Sequence, residues 1–184
     1  MSPRAPRVVL ALCAVLGIAA LAAPVVRAPA VRWVYNPSDS VPRGWYRITS
    51  ARAADSAGTA GDGLHVGDIV LARLPADAAA LAAQRGYLPE RVPLLKRIGA
   101  MAPQRVCTLQ RTIHVDDVPV AHAREADTLG RVLPLWSHCR ALRDGELFLL
   151  SATNSASFDS RYFGPIDAAA VLGRAQPMWT WGAR

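Results

Sequence analysis

The chain has 184 residues, which is enough for one membrane anchor and one compact domain but too few for two full-sized domains. Its formal net charge is +7, yet the basic residues are scattered singly from Arg4 to Arg184, without a run that would follow a phosphate backbone. The charge therefore indicates an ordinary basic surface, and we predict no nucleic-acid partner.

A mainly apolar, uncharged run occupies residues 8–26, between Arg7 and Arg27. It is long enough to cross a bilayer as a helix. Because Arg4 and Arg7 precede it, the positive-inside rule predicts a cytoplasmic N-terminus at residues 1–7 and an outer location for everything after Arg27. The sequence therefore predicts a single-pass anchor.

A cleavable signal peptide is the alternative to a retained anchor. Arg27-Ala28-Pro29-Ala30 offers a small-residue cleavage site, but the apolar run is longer than the usual core of such a peptide. We predict that residues 8–26 are retained and that residues 31–184 form a periplasmic domain.

Four aromatic residues follow the run closely: Trp33, Tyr35, Trp45 and Tyr46. Aromatic rings at this distance from a membrane span are typical of the headgroup level of a bilayer. They are equally typical of the core of a first pair of strands. The sequence alone leaves both interpretations open.

The outer domain is predicted to be mainly β, because short apolar segments alternate with turn residues and helical periodicity is rare. Residues 50–63, rich in Ala, Gly, Asp and Ser, indicate a surface loop. The Ala-rich segment Asp77–Arg85, with Asp77 as its cap and Gly86 after it, predicts one short helix. Asp116-Asp117 indicates a hairpin turn. The predicted strands are Gly44–Ile48, Asp68–Leu74, Pro93–Met101, Arg105–Gln110, Thr112–Ala121, Glu146–Ser151 and Val171–Trp181.

The segment from Asn36 to Tyr46 is the first that could carry chemistry. It reads Asn-Pro-Ser-Asp-Ser-Val-Pro-Arg-Gly-Trp-Tyr and begins about ten residues beyond the apolar run. Taken alone, this density of Ser, Asp, Pro and Gly is more typical of a turn than of a catalytic site.

Lys96 is the only lysine among the 21 basic residues. A guanidinium keeps its proton in proteins, whereas burial lowers the pKa of an ammonium and can leave it neutral. In the apolar segment from Leu94 to Ile98, strand alternation would bury Lys96 on the face of those two residues, as a general base requires. A lysine kept by chance, or one at an exposed edge, remains the alternative.

Three cysteines and four histidines complete the reactive side chains. Cys13 lies in the apolar run, so Cys107 and Cys139 are the candidate disulfide pair if the domain lies outside the cytoplasm. No Cys/His spacing is typical of a zinc site, and we predict no metal and no cofactor. The histidines are dispersed, and nothing in their spacing favours a Ser/His/Asp triad, although the sequence leaves one open: His65, His114, His122 and His138.

The segment Ser155–Pro165 combines a polar loop, the close pair Asp159 and Arg161, and an aromatic cluster. By itself it could be a structural loop with a local ion pair. Together with the Ser40 and Lys96 segments it forms a far more specific pattern.

These segments resemble, in order, the motifs of the type I signal peptidases. The family pattern is Pro-Ser-x-Ser, Gly-Asp-Ile-Val, Lys-Arg and Ser-x-Asp-Ser-Arg-Tyr. The resemblance spans residues 36–165, and the chain carries the four motifs as Pro37–Ser40, Gly67–Val70, Lys96-Arg97 and Ser157–Tyr162.

The conjugative-transfer branch of that family, the TraF-type pilin peptidases, is more similar still. The chain has Ser-x-Pro-x-Gly-x-Tyr from Ser40 to Tyr46 and an Arg-Gly-Tyr-Leu-Pro segment at Arg85–Pro89. It also has Phe-Asp-x-Arg-Tyr-Phe-Gly-Pro at Phe158–Pro165. The resemblance implies a signal-peptidase-like β domain with a short helix, tethered by one N-terminal transmembrane helix.

Catalytic roles follow from the resemblance residue by residue. Ser40 is implied to be the nucleophile and Lys96 the general base that takes its proton, a known variant of the nucleophile-and-base pair. The backbone N–H of Ser40 and the hydroxyl of Ser38 are implied to bind the oxyanion.

Three further residues are implied to support this pair. Ser157 would orient the Lys96 amine, and Asp159 with Arg161 would brace the loop. In the conjugative branch the aspartate is also required for activity.

Two segments depart from the family pattern. Ser151-Ala152-Thr153 stands where general signal peptidases carry Gly-Asp-Asn, and Met101-Ala102-Pro103-Gln104 stands where they carry a Gly-Asp turn. These departures concern the substrate subsites and the turn geometry rather than the pairing of Ser40 with Lys96.

The resemblance implies a serine endopeptidase of the bacterial inner membrane, with its catalytic domain on the periplasmic side. It would remove the leader from an exported pre-protein or pro-pilin bound as an added strand, alongside conjugative transfer or type IV secretion components. Some members of the branch join the new ends into a cyclic pilin.

Three other functions were weighed against this one. The first is a general signal peptidase, and the second is a catalytically inert anchored domain that assists assembly of a secretion apparatus. A cytoplasmic self-cleaving Ser/Lys repressor is disfavoured, because the N-terminus is a membrane span rather than a DNA-reading helix pair.

Overall fold

The structure is a computed structural model that describes Cys13 and residues 31–50, 63–151 and 153–181. The predicted anchor, apart from Cys13, and most of the predicted loop at residues 50–63 lie outside the described residues. Cys13 is an exposed free thiol. None of the helices described is both long and apolar enough to cross a membrane.

The prediction of a mainly β domain is confirmed. The helices are α1 (Ala76–Gln84) and α2 (Ser160–Phe163), with a 3-10 turn at Ala168–Ala170. The strands are β1 (Val31–Asn36), β2 (Arg43–Ser50), β3 (Ile69–Ala72), β4 (Leu94–Met101), β5 (Arg105–Leu109), β6 (Thr112–Val115), β7 (Val118–His122), β8 (Cys139–Ala141), β9 (Glu146–Leu150), β10 (Ile166–Asp167) and β11 (Val171–Trp181).

Each predicted strand segment overlaps an observed strand. The predicted segment 112–121 is split into β6 and β7 by a turn at Asp116-Asp117, where both residues have positive φ. The predicted cap of α1 was wrong: its N-cap is Pro75, without a side-chain hydrogen bond, and Asp77 lies inside the first turn. A carboxylate there still interacts favourably with the helix dipole.

Two antiparallel sheets make up the domain. One has seven strands in the order β1-β2-β11-β3-β4-β9-β10, and the other has four in the order β7-β6-β5-β8. Val106 and Ile113 of the smaller sheet share a core cluster with Phe148 and Leu150 of the larger sheet. Burial of these apolar side chains is what packs the two sheets together.

Strand β4 lies in the interior of the larger sheet, between β3 and β9. Leu94 and Ile98 belong to one core cluster and Leu95 to another, so alternate side chains of the strand enter different clusters. This alternation puts Lys96 on the same side as Leu94 and Ile98, and only 5% of it is exposed. The fold therefore carries a lysine side chain into the interior.

Five exposed aromatic residues lie at the other end of the larger sheet, on β1, β2 and β11, and we call them the aromatic face: Trp33, Tyr35, Trp45, Trp179 and Trp181. Tyr35 and Trp179 are both register partners of Trp45, and the rings of Trp33 and Trp179 stack. Of the four aromatic residues that follow the apolar run, Tyr46 is fully buried and belongs to the core. The other three are exposed and belong to the aromatic face.

Cys107 and Cys139 are directly opposite each other on β5 and β8 and are joined by a disulfide. The bond ties the edge strand β8, only three residues long, to the interior of the smaller sheet. A three-residue strand makes few ladder hydrogen bonds, so the cross-link is the main covalent restraint on that edge.

We predict that replacing both Cys107 and Cys139 with Ala lowers the free energy of unfolding by about 3 kcal/mol, because the bond closes a long loop of the unfolded chain. Urea unfolding of the full-length protein measures the change. Cys13→Ala is the matched control and should leave the unfolding curve in place. A double variant as stable as the parent would contradict the prediction.

Candidate active site

Ser40 lies in the turn between β1 and β2, and the side chain of Asn36 organises that turn. The buried Asn36 amide donates to the carbonyls of Ser38, Val41 and Pro42 at 2.9, 3.0 and 3.2 Å. Its Oδ1 accepts from both the backbone N and the hydroxyl of Ser38. One side chain thus replaces the backbone pairing that the turn lacks and fixes the position of Ser40.

Three segments bring their polar side chains together at one point. Lys96 Nζ, from β4, donates to Ser40 Oγ at 2.5 Å and also to Ser157 Oγ. The two hydroxyl oxygens of Ser40 and Ser157 lie 3.2 Å apart. The structure thus places the predicted nucleophile, base and orienting residue in mutual hydrogen-bond contact.

Burial lowers the pKa of Lys96 from 10.5 to about 8. The carboxylate of Asp159 acts in the opposite direction and raises this pKa, while the guanidinium of Arg161 lowers it. The two charges partly cancel, so the loss of water around the amine decides the outcome. An amine with this pKa can take a proton near neutral pH, which a solvated lysine cannot do.

Asp159 and Arg161 form a buried ion pair beneath the loop that carries Ser157. They are 0% and 1% exposed, and Arg161 Nε lies 2.7 Å from Asp159 Oδ1. Arg161 also donates to the carbonyls of Ser155 and Ser157 at 3.1 and 2.9 Å. Asp159 caps α2 by accepting from the Arg161 N–H. The pair is in place to brace the loop.

The segment 151–153, which differs from the family motif, contacts the turn that carries Ser40. Ser151 Oγ donates to the Ser40 carbonyl at 2.8 Å, and Thr153 Oγ1 donates to the Asp39 carbonyl at 3.0 Å. Ser151 N in turn donates to Asp159 Oδ2 at 3.0 Å. These roles, and that of Asn36, do not follow from the residue pattern; the one sign of them in the sequence is that residues 151–153 differ from the family motif.

One of the two predicted oxyanion donors is available to bind an oxyanion, and the other is already hydrogen-bonded within the turn. Within the part of the chain that the structure describes, the Ser40 N–H makes no hydrogen bond. The Ser38 hydroxyl lies 2.9 Å from Asn36 Oδ1 and 3.3 Å from Ser40 Oγ. It must therefore rotate away from Asn36 before it can donate to a developing oxyanion.

A cleft with a volume of about 690 Å³ opens beside Ser40 and Lys96. Its size is within the range of ligand-binding clefts. Its walls include Val34, Leu71 and Leu95, all from the larger sheet. None of the four histidines lines it, so the structure assembles no Ser/His/Asp triad around Ser40.

The chain is similar in sequence to a known family and to several curated proteins. The family described as "Signal peptidase, peptidase S26" matches residues 6–181. A probable conjugal transfer protein TraF from Sinorhizobium fredii is 31% identical over 177 residues, covering 90% of this chain and 89% of that protein. A conjugal transfer protein TraF from Agrobacterium tumefaciens is 32% identical over 155 residues, covering 79% and 81%. A crystallised signal peptidase I from Enterococcus faecalis is 16% identical, with a TM-score of 0.38 over 61% of this chain and 97% of that one.

The site predicts a specific dependence of peptide cleavage on pH. Protonated Lys96 cannot accept the Ser40 proton, so kcat/KM should rise with pH through a midpoint at about 8, the pKa of Lys96, and level off above it. Asp159→Asn removes a charge that raises this pKa, so the midpoint of the rise should move to lower pH. Initial rates measured across the pH range give the midpoint of the parent. Because Lys96 is the only lysine, the NMR signal of its isotope-labelled amine gives the same pKa in Asp159→Asn even where cleavage is lost.

Asp77→Asn is the matched control, because it makes the same charge change at an exposed position of α1. Its midpoint should equal that of the parent. A midpoint that moves upward in Asp159→Asn, or an activity that is flat between pH 6 and roughly pH 9, would contradict the assignment of Lys96 as the base.

Proposed function

This chain belongs to the signal peptidase family, peptidase S26, in its TraF-type branch, and we propose that it is a membrane-anchored serine endopeptidase that removes the leader from an exported pro-pilin. The observation that carries the proposal is the contact between Ser40 Oγ and the buried amine of Lys96, at the floor of a peptide-sized cleft. The names of the relatives supply the link to conjugal transfer.

Acylation is the first chemical step of the proposed mechanism. The neutral Lys96 amine accepts the proton of Ser40 Oγ as that oxygen attacks the scissile carbonyl carbon. The carbonyl oxygen becomes an oxyanion, bound by the Ser40 N–H and, once its hydroxyl rotates, by Ser38. The intermediate collapses when the peptide C–N bond breaks and Lys96 returns its proton to the leaving amine.

Deacylation then releases the enzyme. Lys96, neutral again, takes a proton from the attacking water, whose oxygen adds to the ester carbonyl of the acyl-Ser40. Collapse of the second intermediate returns the proton to Ser40 Oγ and frees a new carboxyl end. If an amine of the substrate attacks instead of water, the same sequence forms an amide bond and a cyclic product.

Lys96 keeps its geometry through both steps because Ser157 gives it a second hydrogen-bond partner. An amine with only one partner could rotate away once Ser40 is acylated. The Asp159–Arg161 pair holds the Ser157 loop, so we assign these three residues to positioning rather than to contact with the substrate.

The location we propose is the inner membrane, with the domain on the periplasmic side. Support comes from the apolar run at residues 8–26 and from the aromatic face. Strand β1, which carries part of that face, begins a few residues after the run. Arg43 and Arg47 alternate with Trp45 along β2 and are exposed. Aromatic rings beside arginines are typical of surfaces that lie against anionic headgroups.

Ser40→Ala and Lys96→Arg test the peptidase proposal. Alanine removes the attacking oxygen, and arginine keeps the charge but cannot act as a neutral base. Each should abolish conversion of the pro-pilin of the host's transfer system, followed by mass spectrometry, which also separates a hydrolysed product from a cyclic one by the mass of one water.

The control is Ser155→Ala, which removes an exposed hydroxyl from the same loop as Ser157. It should process the pro-pilin at the parent rate. Full processing by Lys96→Arg would overturn the proposed pair. Restored growth of a strain depleted of its housekeeping signal peptidase would favour the general signal peptidase instead.

Tryptophan fluorescence tests the proposed membrane contact. Four of the five tryptophans of the chain belong to the aromatic face, and the fifth is Trp136. In vesicles of anionic lipid with brominated acyl chains, the full-length protein should therefore show strong quenching, unchanged by Trp136→Phe. Quenching that is lost in the Trp136→Phe variant, or absent altogether, would contradict the contact.

A further inference from the structure

The charged side chains that line the cleft differ in whether they make hydrogen bonds or ion pairs. Three ionisable residues with charged forms near neutral pH line it: Lys96, Arg124 and Asp127. Lys96 is buried against the two serines, and Asp127 lies 2.6 Å from Arg131 and accepts a hydrogen bond from Tyr87. Within the described part of the chain, the Arg124 guanidinium makes no hydrogen bond or ion pair.

Arg124 is held in position by hydrogen bonds of its backbone. Its backbone N–H donates to the hydroxyl of Tyr162 at 3.1 Å, and its carbonyl accepts from Arg111. Tyr162 belongs to α2, directly after the Asp159 cap. The guanidinium is therefore carried at the cleft by a backbone that is fixed on both sides.

An aromatic wall connects Arg124 to the reacting groups. Phe158 follows Ser157 in the chain, and its ring lies 5.4 Å from that of Tyr87 and 5.6 Å from that of Tyr162. All three rings line the cleft. A peptide that passes Ser40 thus meets an apolar section of the cleft with the Arg124 guanidinium beside it.

We infer that Arg124 and the Tyr87–Phe158–Tyr162 wall form a subsite that binds an acidic side chain of the substrate near the scissile bond. The inference rests on the proposed function and specifies its substrate class. A guanidinium matches a carboxylate with two parallel hydrogen bonds, and aromatic walls reduce the competition from water.

A bound peptide without acidic residues would leave the Arg124 guanidinium without an anion. An acidic residue of the peptide would supply a negative charge to pair with it. Because Asp127 is already paired with Arg131, it does not satisfy Arg124. Arg124 is only partly buried, so the preference for an acid should weaken as salt concentration rises.

The experiment uses the full-length protein in detergent and quenched-fluorescence peptides with Ala before the scissile bond. Each position on either side of the bond carries Asp in one peptide and Asn in its twin. At one position the parent should cleave the Asp peptide about tenfold faster in kcat/KM. Arg124→Gln should bring that Asp/Asn ratio to about one, and Arg124→Glu should reverse it.

Arg73→Gln is the matched control, because it removes the same charge from an exposed arginine that does not line the cleft. Its Asp/Asn ratio should equal that of the parent. A ratio that survives in Arg124→Gln, or a parent enzyme without any acid preference, would overturn the subsite while leaving the peptidase intact. No cleavage of any peptide or of the pro-pilin by the parent would instead reject the proposed function.

Discussion

The burial of the Lys96 amine is the constraint on which the site depends. A charged ammonium in this position would lose its water without gaining a direct carboxylate partner, which is costly. The fold instead provides two hydroxyl groups, on Ser40 and Ser157, that can hydrogen-bond to a neutral amine. Because β4 runs through the interior of the larger sheet and only 5% of Lys96 is exposed, little water is left around the amine to relieve the penalty.

The two hydroxyl groups that contact the amine lie on a turn and a loop, and other side chains hold that turn and loop in place. The Ser40 turn depends on Asn36 and on Ser151, and the Ser157 loop depends on Arg161. Turns and loops lack ladder partners, so their carbonyls must find donors elsewhere. The Asp159–Arg161 ion pair adds little net charge near Lys96 because its two members act on the pKa in opposite directions. The ion pair therefore stabilises the loop geometry while its two effects on the pKa of the base partly cancel.

Much of this could be predicted from the sequence, for physical reasons that also explain the misses. Apolar alternation revealed β4 and β11, whereas β8 and β10 are too short to show a period. Motif order identified Ser40, Lys96 and Ser157 because the chemistry needs those residue types. Asn36 and Ser151 were missed, since a polar residue in a loop looks the same whether it binds water or a carbonyl 111 residues away.

Strand β1 connects the proposed membrane contact to the cleft. Trp33 and Tyr35 are exposed on the aromatic face, while the alternate residues Val34 and Asn36 are less exposed and lead directly into the Ser40 turn. Val34, Tyr35 and Asn36 all line the cleft. Side chains of a strand alternate strictly, so a shift of one residue in the pairing of β1 with β2 would exchange the two sets. Trp33 stacks on Trp179, and the ring of Tyr35 packs at a tilt against that of Trp45. These contacts favour the observed register of β1, and that register places Asn36 at the start of the nucleophile turn.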